Sequence, residues 1–199
     1  EDDRKKANVD TRSFDVHDLS GVWGDNGIPI DLKARPPCTP EGQKLYDALV
    51  KEVGQGVDGA WAAKDPLLIC DPLGTIRGFG YNYGMEFSQL KDRVYQFYEW
   101  SHTWRTIWTD GRKLPEDPPS ARYLGYSVGK WQGDTFVVES NGYDQRSLVG
   151  SDATKPLFPH SPEMKIVEGY RRLDYGKMQM NLTIYDPKVY TRPWTTTGT

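Results

Sequence analysis

Residues 165–185 constrain this 199-residue chain more than any other stretch, because they leave a single backbone conformation open. Met178, Met180, Leu182 and Ile184 alternate with Gln179, Asn181 and Thr183. A period of two fits an extended strand with one buried face and fits no helix. The run 165–173 precedes it across Asp174-Tyr175-Gly176-Lys177, so the two form a hairpin that stops at Asp186-Pro187.

The same code recurs upstream in aromatic form. In 94–100, Val94, Tyr98 and Trp100 fall on one face and Tyr95 and Phe97 on the other, and Trp104, Ile107 and Trp108 continue the pattern. Large apolar groups on both faces call for a sheet covered on both sides, or a closed barrel with contents. Asp110-Gly111-Arg112 is a turn, 113–120 a proline-rich loop, and 123–131 returns through Gln132-Gly133-Asp134 into 135–140. The long stretch 141–163 reads as a loop, and 190–194 adds an edge segment. Upstream, Thr39-Pro40-Glu41 places a cap, a proline and an acid where a helix begins, predicting one helix over 40–53 that Gly54 ends. A short helical turn over 58–64 follows, and strands begin near 75. The expectation is an all-β, mainly antiparallel domain over 21–195, built as a barrel or strongly curved sheet with one N-terminal helix. An open sheet or β-sandwich is the alternative. Residues 1–20 are an arm, with Phe14 and Val16 as its apolar anchors, and 196–199 a tail.

Charge narrows the partners. Lys plus Arg less Asp plus Glu is 25 − 28 = −3, which provides no global basic field for nucleic acid or an anionic membrane. No run of about 18 apolar residues is present, so no membrane-spanning helix is expected. No phosphate loop, dinucleotide fingerprint, nucleophile elbow or metal-ligand spacing occurs, so no cofactor and no metal is expected. The N-terminal Glu1-Asp2-Asp3-Arg4-Lys5-Lys6 lacks the apolar core of a signal peptide, which fits either a cytoplasmic protein or a processed exported one.

Four separated motifs favour export. Asp110-Gly111-Arg112, then Ser127-Val128-Gly129-Lys130-Trp131-Gln132-Gly133-Asp134-Thr135-Phe136-Val137-Val138-Glu139, then Glu168 with Arg171-Arg172, then Asp186-Pro187-Lys188-Val189-Tyr190-Thr191-Arg192-Pro193-Trp194 follow one another in order. Together they resemble an abundant family of exported bacterial β-rich proteins of unassigned function, over roughly residues 65–195. The resemblance implies a periplasmic or extracellular location and implies no reaction. Gln132 and Gly169 stand where that family more often has Glu and Arg. Gly21-Val22-Trp23 is similar to the opening of lipocalin-like (calycin) barrels, in which an arginine of a late strand packs over the indole; Arg171-Arg172 are placed to do so. Cys38 and Cys70, 32 residues apart in proline-flanked segments, are either a disulfide or two separate thiols. The loop-like sites and the export that the resemblance implies favour the disulfide, worth about 3–4 kcal/mol.

Several residues could carry chemistry. Glu99, His102 and Arg105 lie within seven residues of one another on the aromatic strand pair, where Glu99 becomes a proton donor if desolvation wins and an orienting ion pair if Arg105 holds it ionised. The ion pair is the expectation. Glu139 and Glu168 share faces with apolar neighbours and, with Arg105 and Arg172, could form a polar cluster in an aromatic-walled cavity. His160, before Ser161-Pro162-Glu163, is a surface loop residue or an acid–base partner of Glu163. Of Trp100, Trp104, Trp108, Trp131 and Trp194, at most two are expected in any site. The leading reading is an exported module binding a small, partly apolar or aromatic molecule through Glu99, Arg105, Tyr98, Trp104, Glu139 and Arg172. The alternatives are an acid–base hydrolase, lyase or isomerase using Glu99, His102, Glu139 or His160, and a structural subunit self-associating through sheet edges. An open cavity without a converging Glu–His pair favours the first, such a pair the second, and a closed, dry interior the third.

Overall fold

The computed structural model describes residues 11–24, 31–53, 70–80, 83–118, 122–150 and 157–199. Nine strands form one sheet in simple sequence order: β1 Gly21–Trp23, β2 Met85–Gln89, β3 Arg93–Tyr98, β4 Thr103–Trp108, β5 Tyr126–Gln132, β6 Thr135–Asn141, β7 Lys165–Arg172, β8 Met178–Tyr185 and β9 Trp194–Gly198. Every pairing is antiparallel except β4 with β5. The sheet curls into a half-barrel, with β1 and β9 at its two ends and unpaired with each other. No helix among the described residues is long and apolar enough to cross a membrane.

The expected alternation holds where it was clearest. Met180, Leu182 and Ile184 are buried on the concave face of β8, while Asn181 and Tyr185 are exposed. On β3, Val94, Gln96 and Tyr98 point inward and Phe97 outward. The segment read as an edge and tail is β9, whose Trp194, Thr196 and Gly198 are buried and whose Thr195 and Thr197 are exposed, so it extends the chain's own sheet. The arm is held along its described length. Leu19 is fully buried, Gln89 Nε2 donates to His17 O (3.0 Å), and the His17 ring sits edge-on to Trp131.

The helix begins where the cap predicts. Gly42 N donates to Thr39 Oγ1 (2.9 Å) at the start of α1, Pro40–Val53. Gly42 is required there, because a Cβ would lie 2.1 Å from the Val189 carbonyl oxygen, so the helix seats directly on that backbone. Gly54 and the turn expected over 58–64 fall outside the described residues. A second helix, α2 Thr75–Gly80, occupies the start of the region read as strands. Its Ile76 and Phe79 belong to the core of the half-barrel, and Gly78 lies against the Tyr98 ring, where a Cβ would sit 3.1 Å from two ring carbons. Glycines at 74, 78 and 80 make this segment a poor helix by propensity, and burial against the sheet overrides that.

The disulfide is not formed. Both cysteines are free: Cys38 is half-buried in a bridge to Tyr190, where Arg35 Nη1 lies 3.0 Å from its sulfur, and Cys70 is exposed in a turn at positive φ. The Cys38 segment is held instead by the chain at 189–191, through Thr39 N to Val189 O and Thr191 N to Pro37 O.

Candidate functional site

The concavity is filled, so the expected interior pocket gives way to a packed polar cluster under α2. Arg105 from β4 grips Glu168 from β7 with both terminal nitrogens, Nη1 to Oε1 at 2.8 Å and Nη2 to Oε2. Tyr170 Oη donates to Glu168 Oε2 (2.6 Å), Arg105 Nε to Gln96 Oε1 (2.7 Å), and Tyr98 Oη to the same Gln96 oxygen (3.1 Å). Glu168 is 0% and Arg105 3% exposed. Burial works against the Arg105 charge, but Glu168 with Tyr98 and Tyr170 together outweigh it and hold the guanidinium protonated. Burial also pushes the Tyr98 and Tyr170 hydroxyls well above their usual range.

Glu99 therefore does not pair with Arg105. Strand period separates them: Arg105 turns inward opposite Gln96, whereas Glu99 is exposed past the end of β3 and accepts from Gly84 N (3.0 Å). The partner of Arg105 is 63 residues away. Glu139 points to the outer face beside Val128 and Val167 and joins neither group. Arg172 lies over the Trp23 indole (5.1 Å) and donates to the carbonyls of Asp18, Asp174 and Tyr175, fixing the arm to β7. His102 is exposed at positive φ in the turn Trp100–His102 that links β3 to β4.

His160 is buried rather than on the surface, and its partner is Ser147, not Glu163. Its Nδ1 faces Ser161 O (2.9 Å), which fixes the N–H there and leaves Nε2 as acceptor, 2.8 Å from Ser147 Oγ. Ser147 Oγ also lies 2.8 Å from Asp144 O, so its one hydroxyl proton is shared between that carbonyl and the imidazole, and the two side chains are 2–3% exposed. Burial lowers the His160 pKa below its usual value. The hollow that Ser147 lines with Thr75, Ile76, Tyr143 and Met164 has no room for a water molecule, and the pair braces the long loop.

The open site lies where the sheet parts. β4 and β5 pair only at Ile107↔Ser127 and Trp108↔Val128, then diverge toward Thr103 and Arg122. The V-shaped cleft so formed has a volume of about 560 Å³ and is bounded by Pro72, Trp104, Trp108, Tyr123, Leu124 and Tyr126, with Arg105, His102 and Arg122 around them. Thr109 N bonds to Asp92 O (2.9 Å), which sets the phase of the β3–β4 ladder. Antiparallel pairs alternate, so Phe97↔Trp104 and Tyr95↔Thr106 do not exchange bonds; Trp104 turns its N–H and C=O, and Thr106 its N–H, into the cleft, while the Thr106 carbonyl is taken by the Ile107↔Ser127 bridge.

Three of the cleft's four large rings are held in place. Arg112, ion-paired to Asp110 at 2.6 Å, lies 3.8 Å over the Trp108 ring and donates to Tyr126 Oη (3.1 Å), while Arg93 lies over the same indole at 4.4 Å. Arg146 lies over Tyr123, whose hydroxyl is pushed up to about 12 by burial and by Asp71. Trp104 alone among these rings is largely free, 59% exposed on the convex face. Of the five tryptophans singled out, Trp104 and Trp108 line the cleft; Trp194 is in the core, Trp131 packs on Phe136, and Trp100 stacks on Tyr83. Tyr123 and Tyr126 were missed, and only their position opposite β4 marks them.

The motifs have structural work in this fold. Asp110-Gly111-Arg112 places Arg112 on Trp108, and Asp186 accepts from Ser161 N (2.6 Å) and Ser161 Oγ (2.8 Å) to tie the long loop to the end of β8. Among the described residues no group of three His, Cys, Asp or Glu side chains gathers as a metal ion requires. A larger hollow of about 790 Å³ lies near the end of β8, lined by Tyr185, Tyr190, Lys165, Arg192, Glu116 and Glu163 among others. Fold and cleft thus define an open β half-barrel with an aromatic-walled gap in its sheet. Comparison with protein-family models, curated proteins and solved structures yields no significant match.

Proposed function

We propose that this chain is an exported binding protein, periplasmic or extracellular, that holds a small, partly apolar or aromatic molecule between β4 and β5. One observation carries the reading: the sheet opens at Trp104–Thr106, where the N–H and C=O of Trp104 and the N–H of Thr106 have no partner strand and lie beside flat aromatic rings, of which Trp108, Tyr126 and Tyr123 are already held by Arg112, Arg93 and Arg146. Pre-set walls reduce the ordering cost of binding, and backbone N–H and C=O groups supply orientation. Arg105 and Trp104 carry over from the sequence-derived set; Glu99, Tyr98, Glu139 and Arg172 have other partners or other faces. Glu99 and His102 line a separate hollow of about 500 Å³, where the Glu99 carboxylate accepts from Gly84 N and not from His102, and no Glu lines the cleft, so binding is favoured over acid–base catalysis.

The test is a nuclear magnetic resonance screen of one- and two-ring aromatic fragments, read at the indole N–H signals. Binding that shifts Trp104 and Trp108 and disappears in Trp104→Ala, with the melting temperature unchanged, supports the site. Fragments that bind equally well to Trp104→Ala refute it. The filled concavity supports a second reading, assembly through the free edges of β1 and β9. Light scattering from micromolar to millimolar protein decides it, since a monomer throughout removes that reading.

A further inference from the structure

Resting on the cleft reading above, we infer that the ligand is an aromatic carboxylate, with its ring between Trp104 and Tyr126 and its acid group toward Arg122. The chain as a whole is acidic, at −3, yet the cleft lining contains His102, Arg105 and Arg122 and no Asp or Glu. The arginines around the cleft are mostly neutralised in place: Arg105 by Glu168, Arg112 by Asp110, Arg93 by Asp92 and Arg146 by Asp144. Arg122 differs. Its backbone is fixed on both sides, N to Gly142 O at 2.9 Å and O from Asp144 N at 3.0 Å, while its guanidinium has no carboxylate partner among the described residues. An anchored, unneutralised arginine beside two outward strand N–H groups presents donors and positive charge to whatever enters. A cationic ligand would find no counter-charge on the lining. A neutral ring would leave those donors to water.

The cleft's volume of about 560 Å³ suits a one- or two-ring acid. The experiment uses the whole chain and three isosteric probes, 3-phenylpropionate, 3-phenylpropionamide and 3-phenylpropylamine, titrated at 20 mM salt and followed at the Trp104 indole signal. The acid should bind about five- to tenfold tighter than the amide, and the amine weakest. Arg122→Gln should bring the acid to the amide's affinity and leave the amide within about twofold, while Arg171→Gln on the exposed face of β7 changes neither. Equal binding of acid and amide, both shifting Trp104, overturns the charge inference and leaves the cleft as a binding site. An acid preference that survives Arg122→Gln overturns the assignment to Arg122. No Trp104 shift with any probe at millimolar concentration overturns the inference together with the cleft reading.

Discussion

Glu168→Gln tests the buried cluster that supports the floor of the cleft. Glu168 accepts three hydrogen bonds, two from Arg105 and one from Tyr170, with no exposed surface. A glutamine keeps one acceptor oxygen and turns an NH2 against donors that already face it. Arg105 cannot shed its proton to compensate, so a buried guanidinium loses its counter-charge. Removing one member of a buried pair costs about 3–5 kcal/mol. Gln96 Oε1 at 2.7 Å and Tyr170 Oη at 3.3 Å still accept from Arg105, which puts the cost near the lower end, about 3 kcal/mol. Against a typical 5–15 kcal/mol for a domain, the variant folds but is visibly weakened. Arg105→Met with Glu168→Leu removes both charges and leaves the Tyr98–Gln96–Tyr170 bonds in place, so the pair should cost much less than the sum of the single changes. Urea unfolding at pH 7, followed by circular dichroism with a common slope, measures Glu168→Gln and the four proteins of the cycle: the parent, Arg105→Met, Glu168→Leu and the double variant. A Glu168→Gln loss below about 1 kcal/mol, or strict additivity in the cycle, would refute the reasoning.

Three further outcomes are expected. Thiol titration of the unreduced, urea-unfolded chain should find two reactive thiols, and a value of zero would restore the disulfide. Because burial depresses the folded His160 pKa below 6.5, the unfolded chain takes the proton first as pH falls. The resulting stability is present above about pH 6.5 and falls by up to about 1.4 kcal/mol per pH unit down to the folded pKa. His160→Gln should flatten that slope, and an unchanged slope would assign it elsewhere. Arg172→Lys should cost about 2–3 kcal/mol, since one ammonium cannot reach the three carbonyls of Asp18, Asp174 and Tyr175 and cover Trp23 as well. Limited proteolysis should then cut within residues 11–20 faster than in the parent protein, and an unchanged cutting rate would separate Arg172 from the arm.

Much of the fold was legible because it is encoded over a few residues. Alternation along Met178–Tyr185 determines a strand and its buried face, Thr39-Pro40 determines where a helix starts, and Asp110-Gly111-Arg112 determines a turn. Each needs only local backbone geometry and a water-facing side. The face of Arg105 was likewise fixed by period two, but its partner was not, since that depends on which strand lies across the concavity. The nearest acid in the chain, Glu99, lost to Glu168 at 63 residues' distance. The same holds for Ser147 and His160, and for α2, whose glycines read as breakers until the sheet supplies the burial that offsets them. The cleft is the extreme case. It exists because β5 runs parallel to β4 while the chain just before β5 bonds at Arg122 to Gly142 and Asp144 rather than to β4, and no residue pattern records the place where two strands stop pairing. Side-chain periodicity determined what each strand could bury; the order and divergence of the strands decided what each buried group would meet, because those are properties of the closed chain rather than of any segment.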